Sequence, residues 1–185
     1  MTVLLAVMLS GLARAEDELL LLGGRAVAEV WQDASLATVY KTTGFGVSGT
    51  FSIRPHAWLS IDGELGLIRL SGQEEQAIQM VPLALDLSAR VDRDDMELFL
   101  GVGPALVPFA DSGLTVITGT KLGLDVQAGA RFATDLVNPS MSSTSPVQRV
   151  DAEFFIGRRQ HFSQGVTERL DLSAWRVGAG LGVRL

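Results

Sequence analysis

Apolar and polar residues alternate with a period of two over most of this chain. The C-terminal stretch shows it best. Trp175, Val177, Ala179, Leu181, Val183 and Leu185 fall on one face, and Arg176, Gly178, Gly180, Gly182 and Arg184 fall on the other. A helix would mix these sets, whereas a strand, whose side chains point alternately up and down, separates them. Residues 80–91 set Val81, Leu83, Leu85, Leu87, Ala89 and Val91 against Asp86, Ser88 and Arg90. Residues 121–133 set Leu122, Leu124, Val126, Ala128, Ala130 and Phe132 against Asp125, Gln127 and Arg131. Strands are also predicted over 57–68, with Asp62 and Glu64 on the polar face, and over 149–157, with Asp151 and Glu153 there. The alternation is weaker at 44–54, 96–107 and about 22–32. These segments make about eight antiparallel strands, the smallest even number that closes a transmembrane barrel.

The connections alternate in kind. Arg54-Pro55-His56 and Asp92-Arg93-Asp94-Asp95 read as tight polar turns, while longer polar links are expected near 33–43, 69–77, 108–119 and 158–171. Short turns on one rim and long loops on the other produce this rhythm in membrane barrels. Residues 134–148, rich in Ser, Thr and Pro, interrupt it with a long link where a short one is due.

Which face meets water decides between a soluble and a membrane barrel. The polar faces carry isolated Arg, Asp and Glu among Gly and Ser, with Lys nearly absent, a composition suited to a crowded interior where charges pair. The apolar faces run for about 10–12 residues, enough to span a bilayer when tilted and about twice an ordinary soluble strand. Both features predict an all-β, antiparallel transmembrane β-barrel with the polar face inward. Trp31, Tyr40, Phe45, Trp58, Phe109, Phe132 and Trp175 lie near the predicted strand ends, as interfacial girdles would.

Composition narrows the rest. The 185 residues suit one domain, and mean hydropathy is +0.29 with 19% charged residues, too charged for a bundle of membrane helices. The net charge of -6 argues against nucleic acid as a partner. With no Cys and two distant His residues, no metal centre is expected, and with no helix pattern after Gly178, Gly180 and Gly182, no nucleotide loop or other cofactor site is expected either. Residues 3–12 form an apolar run, followed by Ala13-Arg14-Ala15 and an acidic stretch. Small residues flanking one position after such a run mark a secretory leader over 1–15, although no basic residue precedes the run, leaving a domain over 16–185.

On the leader, the eight alternating segments and the ending VGAGLGVRL at 177–185, the chain resembles the small outer-membrane β-barrel proteins, including the OmpA membrane domain and the OmpX/Ail group. Their last strand ends in an aromatic residue, where this chain has Leu185. The resemblance implies a bacterial outer-membrane location. It also implies outer-membrane lipid, lipopolysaccharide and the barrel insertion machinery as partners, with any external ligand taken by loops such as 108–119 and 158–171. Family members serve as anchors, adhesins, small channels or lipid-modifying enzymes. A non-catalytic structural, adhesive or protective role leads here, with a narrow ion or small-solute pore as one alternative.

A second alternative is chemical. His161 and Ser163 stand two apart, so on a strand both point the same way, and an imidazole fixed by Glu168 or Asp171 would activate the hydroxyl. This His-x-Ser element is similar to that of PagL-type lipid A deacylases, which implies His161 as base, Ser163 as nucleophile and Glu168 as acid. The family has Asn after its Ser, where this chain has Gln164. Strand parity places His161 on the inner face, whereas that family's site faces lipid. His56, in the Pro55 turn, reads as a solvated turn residue.

Overall fold

The computed structural model describes residues 20–33, 38–72, 76–112, 117–134, 149–162 and 171–185. The expected leader over 1–15 lies outside them. Among the described residues there are nine strand segments: β1 (Leu20–Trp31), β2 (Thr43–His56), β3 (Leu59–Ser71), β4 (Ala77–Met80), β5 (Leu83–Arg93), β6 (Met96–Asp111), β7 (Ile117–Thr134), β8 (Arg149–Phe162) and β9 (Ala174–Arg184). Every pairing is antiparallel, and β1 pairs with both β2 and β9, so the sheet closes on itself.

The nine segments form eight staves. β4 and β5 share one register against β3, from Ile68↔Met80 to Leu65↔Leu83, and are divided only at Val81 and Pro82. Pro82 has no N–H to donate, yet its carbonyl still accepts from the Gly66 N–H at 2.8 Å. The expected count of eight is therefore correct.

Both described chain ends lie on one rim, where the Leu185 N–H donates to the Leu20 carbonyl at 2.9 Å. This inner rim also carries two-residue turns. Asp94 and Asp95 link β5 to β6, with Asp94 at φ 53, a left-handed conformation that Asp tolerates. The other turn differs from the expected Arg54-Pro55-His56. β2 continues through His56, and Ala57 and Trp58 make the turn. The register slips by one residue between Ile53 and His56, so Pro55 occupies a bulge where its missing N–H breaks no ladder bond. The link after β7 also falls on this rim, and its residues 135–148 lie outside the described set.

Leu65, Leu85, Leu87, Leu98, Leu100, Phe154, Ile156 and Leu181 are exposed, while Arg25, Glu29, Asp62, Asp86, Arg131 and Arg176 are buried. The wall is thus apolar and the lumen charged, as the alternation predicts. Lumen glycines receive the large rings. A Cβ on Gly178 would stand 2.3 Å from the Phe155 ring, and one on Gly129 would stand 2.5 Å from Phe99. Glycine alone leaves the backbone bare enough for a flat ring to lie against it.

The strands run further than predicted at the outer rim. β3 reaches Ser71, β6 reaches Asp111, β7 starts at Ile117 and β8 reaches Phe162. Part of each link expected at 69–77, 108–119 and 158–171 is therefore strand. The reason is a phase reversal. Along β3, Leu65 and Leu67 face out, but beyond them Ile68 and Leu70 face in while Arg69 and Ser71 face out. Ile78 and Met80 on β4, with Val107 and Phe109 on β6, repeat the reversal. Above the bilayer the wall meets water, so the apolar side turns inward as in a soluble barrel.

Trp31, Tyr40 and Phe109, expected in the girdles, belong to this inner apolar cluster. Phe45, Trp58, Phe132 and Trp175 do face outward. Trp58 stacks on His56, the exposed last residue of β2, at 6.1 Å between ring centroids.

Leu100 lies about 10 Å above the inner rim, at ~3.3 Å per residue and a tilt near 40°. Replacing it, Leu100→Arg, is expected to cost about 2–4 kcal/mol in reversible urea unfolding from lipid vesicles, because Leu100 is 59% exposed on the outward face of the wall. A change below about 0.5 kcal/mol, typical of a solvated surface site, would contradict a lipid-facing wall.

Candidate functional site

The lumen holds the chemistry-bearing residues, and the inward phase of each strand puts them there. Two linked tiers of ion pairs fill it. In the outer tier Arg176 reaches Asp125 at 2.7 Å and Glu29 at 3.2 Å, and it also pairs with Glu64. Arg159 joins the same acids, meeting Glu29 at 3.1 Å and Asp125 at 3.4 Å. These groups come from β1, β3, β7, β8 and β9.

The inner tier centres on Glu97 of β6, which accepts guanidinium groups from four other staves. Arg131 lies at 2.7 Å and Arg184 at 3.0 Å, and Arg54 and Arg90 complete the set. Arg90 also holds Asp62 at 2.8 Å, and Arg184 holds Asp151 at 2.5 Å. Glu153 joins the tiers, because it pairs with Arg25 and lies 2.5 Å from Arg131. The acid pairs Asp62/Glu64 and Asp151/Glu153 are thus partners for arginine, as their composition suggested.

Aromatic faces complete the arrangement. The Arg25 and Arg176 guanidiniums lie 4.6 and 5.4 Å from the Phe155 centroid, and Arg131 lies 4.6 Å from that of Phe99. A cation over a ring face is attracted by the ring quadrupole, more strongly where water is excluded. Gln127 extends the network. It accepts from Arg25 at 3.1 Å and donates to Asp86 at 2.5 Å.

Above the ion pairs, an apolar cluster of Trp31, Ile68, Leu70, Ile78, Val107 and neighbours packs inside β1, β3, β4 and β6 near the outer rim, while Lys121 of β7 and His161 of β8 are buried as well. The Tyr40 hydroxyl donates to the Asp111 carboxylate at 2.6 Å beside it. Tyr40 lies on the connection after β1, and burial followed by the Asp111 contact raises its phenol pKa above the ordinary value. Strand parity alone did not reveal this layer, because its residues carry the opposite phase to the apolar wall.

Of the chemical candidates, His161 lies near the outer end of β8 and is buried in the lumen. Ser163 and Glu168 lie outside the described residues. The hydroxyl recorded beside His161 is that of Ser173, which sequence spacing did not single out. Its Oγ accepts from the His161 N–H at 2.9 Å and from Gln160 Nε2 at 3.0 Å. Asp171 accepts from the Ser173 N–H at 2.9 Å. The two bonds to Ser173 Oγ tie the chain entering β9 to β8, and the His161 imidazole Nδ1 makes no hydrogen bond to a described residue. Among the described residues no group of three or more His, Asp or Glu side chains is arranged to hold a metal.

No protein-family profile and no curated protein matches the sequence. Solved structures do match the fold. Neisserial surface protein A aligns with a TM-score of 0.59 at 13% identity, over 90% of this chain and 96% of that one. Ail, the attachment invasion locus protein of Yersinia pestis, aligns with a TM-score of 0.59 at 15% identity, over 92% and 100%. The N-terminal β-barrel domain of Pseudomonas aeruginosa OprF aligns with a TM-score of 0.54 at 10% identity, over 89% and 97%. With its lipid-facing wall and ion-paired lumen, this chain has the fold of the small eight-stranded outer-membrane barrels.

Proposed function

We propose that this protein is a non-enzymatic barrel of the bacterial outer membrane, holding its outer-rim connections at the cell surface for a structural, adhesive or protective role. The occupied lumen is the observation that carries this reading. The void among Arg25, Asp62, Glu64, Asp86 and Arg131 is about 10 Å³, space for about one water. The apolar cluster above it narrows the described lumen further, which speaks against the pore alternative. The inward placement of His161 speaks against the lipid A hydrolase alternative, which needs His161, Ser163 and Glu168 together at a lipid-facing site. Ail of Yersinia pestis, a barrel of the same fold, is known in complex with the heparin analogue sucrose octasulfate, which supports recognition as one use of such a scaffold. Export behind residues 1–15 and delivery to the barrel insertion machinery belong to the same reading.

Three measurements test it. Purified protein reconstituted in planar bilayers is expected to show no conductance above the lipid baseline, and stepwise openings would replace this reading with a pore. Arg176→Ala leaves Glu29, Glu64 and Asp125 short of a cation, so it is expected to destabilise the barrel by about 3–5 kcal/mol in urea unfolding. An effect below about 1 kcal/mol in Arg176→Ala, with Arg159→Ala equally mild, would mean that water reaches these acids. N-terminal sequencing of protein recovered from outer membranes is expected to begin at Glu16, and a chain beginning at Met1 would remove the leader.

A further inference from the structure

Every carboxylate of the two tiers meets at least one guanidinium. Asp86, the remaining buried acid among the described residues, meets none of them. It points into the lumen from β5 and is 2% exposed. Gln127 donates to its Oδ2 at 2.5 Å, and Oδ1 has no hydrogen-bond partner among the described residues. The Gln127 carbonyl accepts from Arg25, which turns the amide N–H groups toward Asp86.

The cations near Asp86 are all taken by other acids. On β3, Asp86 lies opposite Asp62, which Arg90 holds. β6 places Gly101 and Gly103 beside it, and these have no side chain to offer. β7 turns Asp125 toward it as well as Gln127, and Asp125 belongs to Arg159 and Arg176. Arg25 and Arg131 line the same small void as Asp86 and Glu64. Arg25 pairs with Glu64 and Glu153, and Arg131 pairs with Glu97 and Glu153. An ionised Asp86 would therefore face the charges of Asp62, Glu64 and Asp125 with one neutral amide in support. A carboxylate buried without a cation costs more free energy than the same group as a neutral acid, so it takes up a proton. The void of about 10 Å³ has room for about one water to accept from that proton.

We propose that Asp86 is a proton-binding site, carrying a proton on Oδ1 at neutral pH, and that release of this proton destabilises the filled lumen. On release the O–H bond breaks, the electron pair stays on Oδ1 and the proton passes to bulk water. The new carboxylate then competes with Glu64 and Glu153 for Arg25, the guanidinium that Gln127 already links to it. Glu153 joins the two tiers through Arg25 and Arg131, so the contact drawn away is the one that ties the tiers together.

The test uses the full chain folded in phosphatidylcholine vesicles. Infrared spectra at about pH 7, well above the ordinary aspartate pKa of about 3.9, are expected to show the C=O stretch of an un-ionised carboxylic acid. Asp86→Asn is expected to remove it. Absence of that band from the wild type would overturn the proposal whether or not the variant folds. Urea unfolding gives an independent reading. The folded barrel keeps a proton that the unfolded chain gives up, so raising the pH favours unfolding. Between about pH 5 and about pH 6.5, the unfolding constant of the wild type relative to that of Asp86→Asn is expected to rise about tenfold per pH unit. A flat ratio would mean that Asp86 is ionised in both states, and would overturn the site. Asp62→Asn, at the opposite ladder position, removes an acid that Arg90 holds ionised, so its ratio to the wild type is expected to stay flat over that range. A slope at Asp62 in place of Asp86 would put the proton on the wrong acid and overturn the assignment.

Discussion

A backbone amide in hydrocarbon has no water to bond, and each unpaired N–H or C=O costs several kcal/mol there. A spanning sheet must therefore close, and here β1 closes it by pairing along nearly its whole length with both β2 and β9. The rest follows from closure with so few staves. Eight strands enclose a space only as wide as the side chains that fill it. A charge placed there has little water, so it needs a partner, and the partner must come from another stave. The phase of each strand, the choice of Arg over Lys and the glycines beneath Phe99 and Phe155 all answer to that confinement.

Much of this was legible in the sequence because the bilayer and the lumen impose opposite preferences on alternate residues. A wall residue such as Leu100 and a lumen residue such as Glu97 cannot exchange places, so each strand announces its phase. The strand ends were not legible for the same reason. Once the wall emerges into water, the outward side becomes polar and the inward side apolar, so Ile68 and Leu70 look like a break in the pattern when they continue it. The Pro55 bulge was misread because proline marks both turns and strand irregularities, and only the pairing partner tells them apart.

The site was less legible than the fold. That Asp62, Glu64, Asp151 and Glu153 would meet arginines could be read from composition, but which arginine crosses to which acid depends on barrel shear, and no local spacing encodes that. Ser173 was invisible beside His161 because the chain brings it there from the start of the next strand.

Glu97 carries a consequence for assembly. Its arginines come from β2, β5, β7 and β9, so no hairpin or half-barrel can supply them all. Until the first and last staves meet, these charges must keep their hydration shells, and an open curl of strands would draw water into the membrane with it. Drying of the interior and joining of the ends thus become a single event. The seam between the first and last staves is thus also the seal that keeps water from the charges inside.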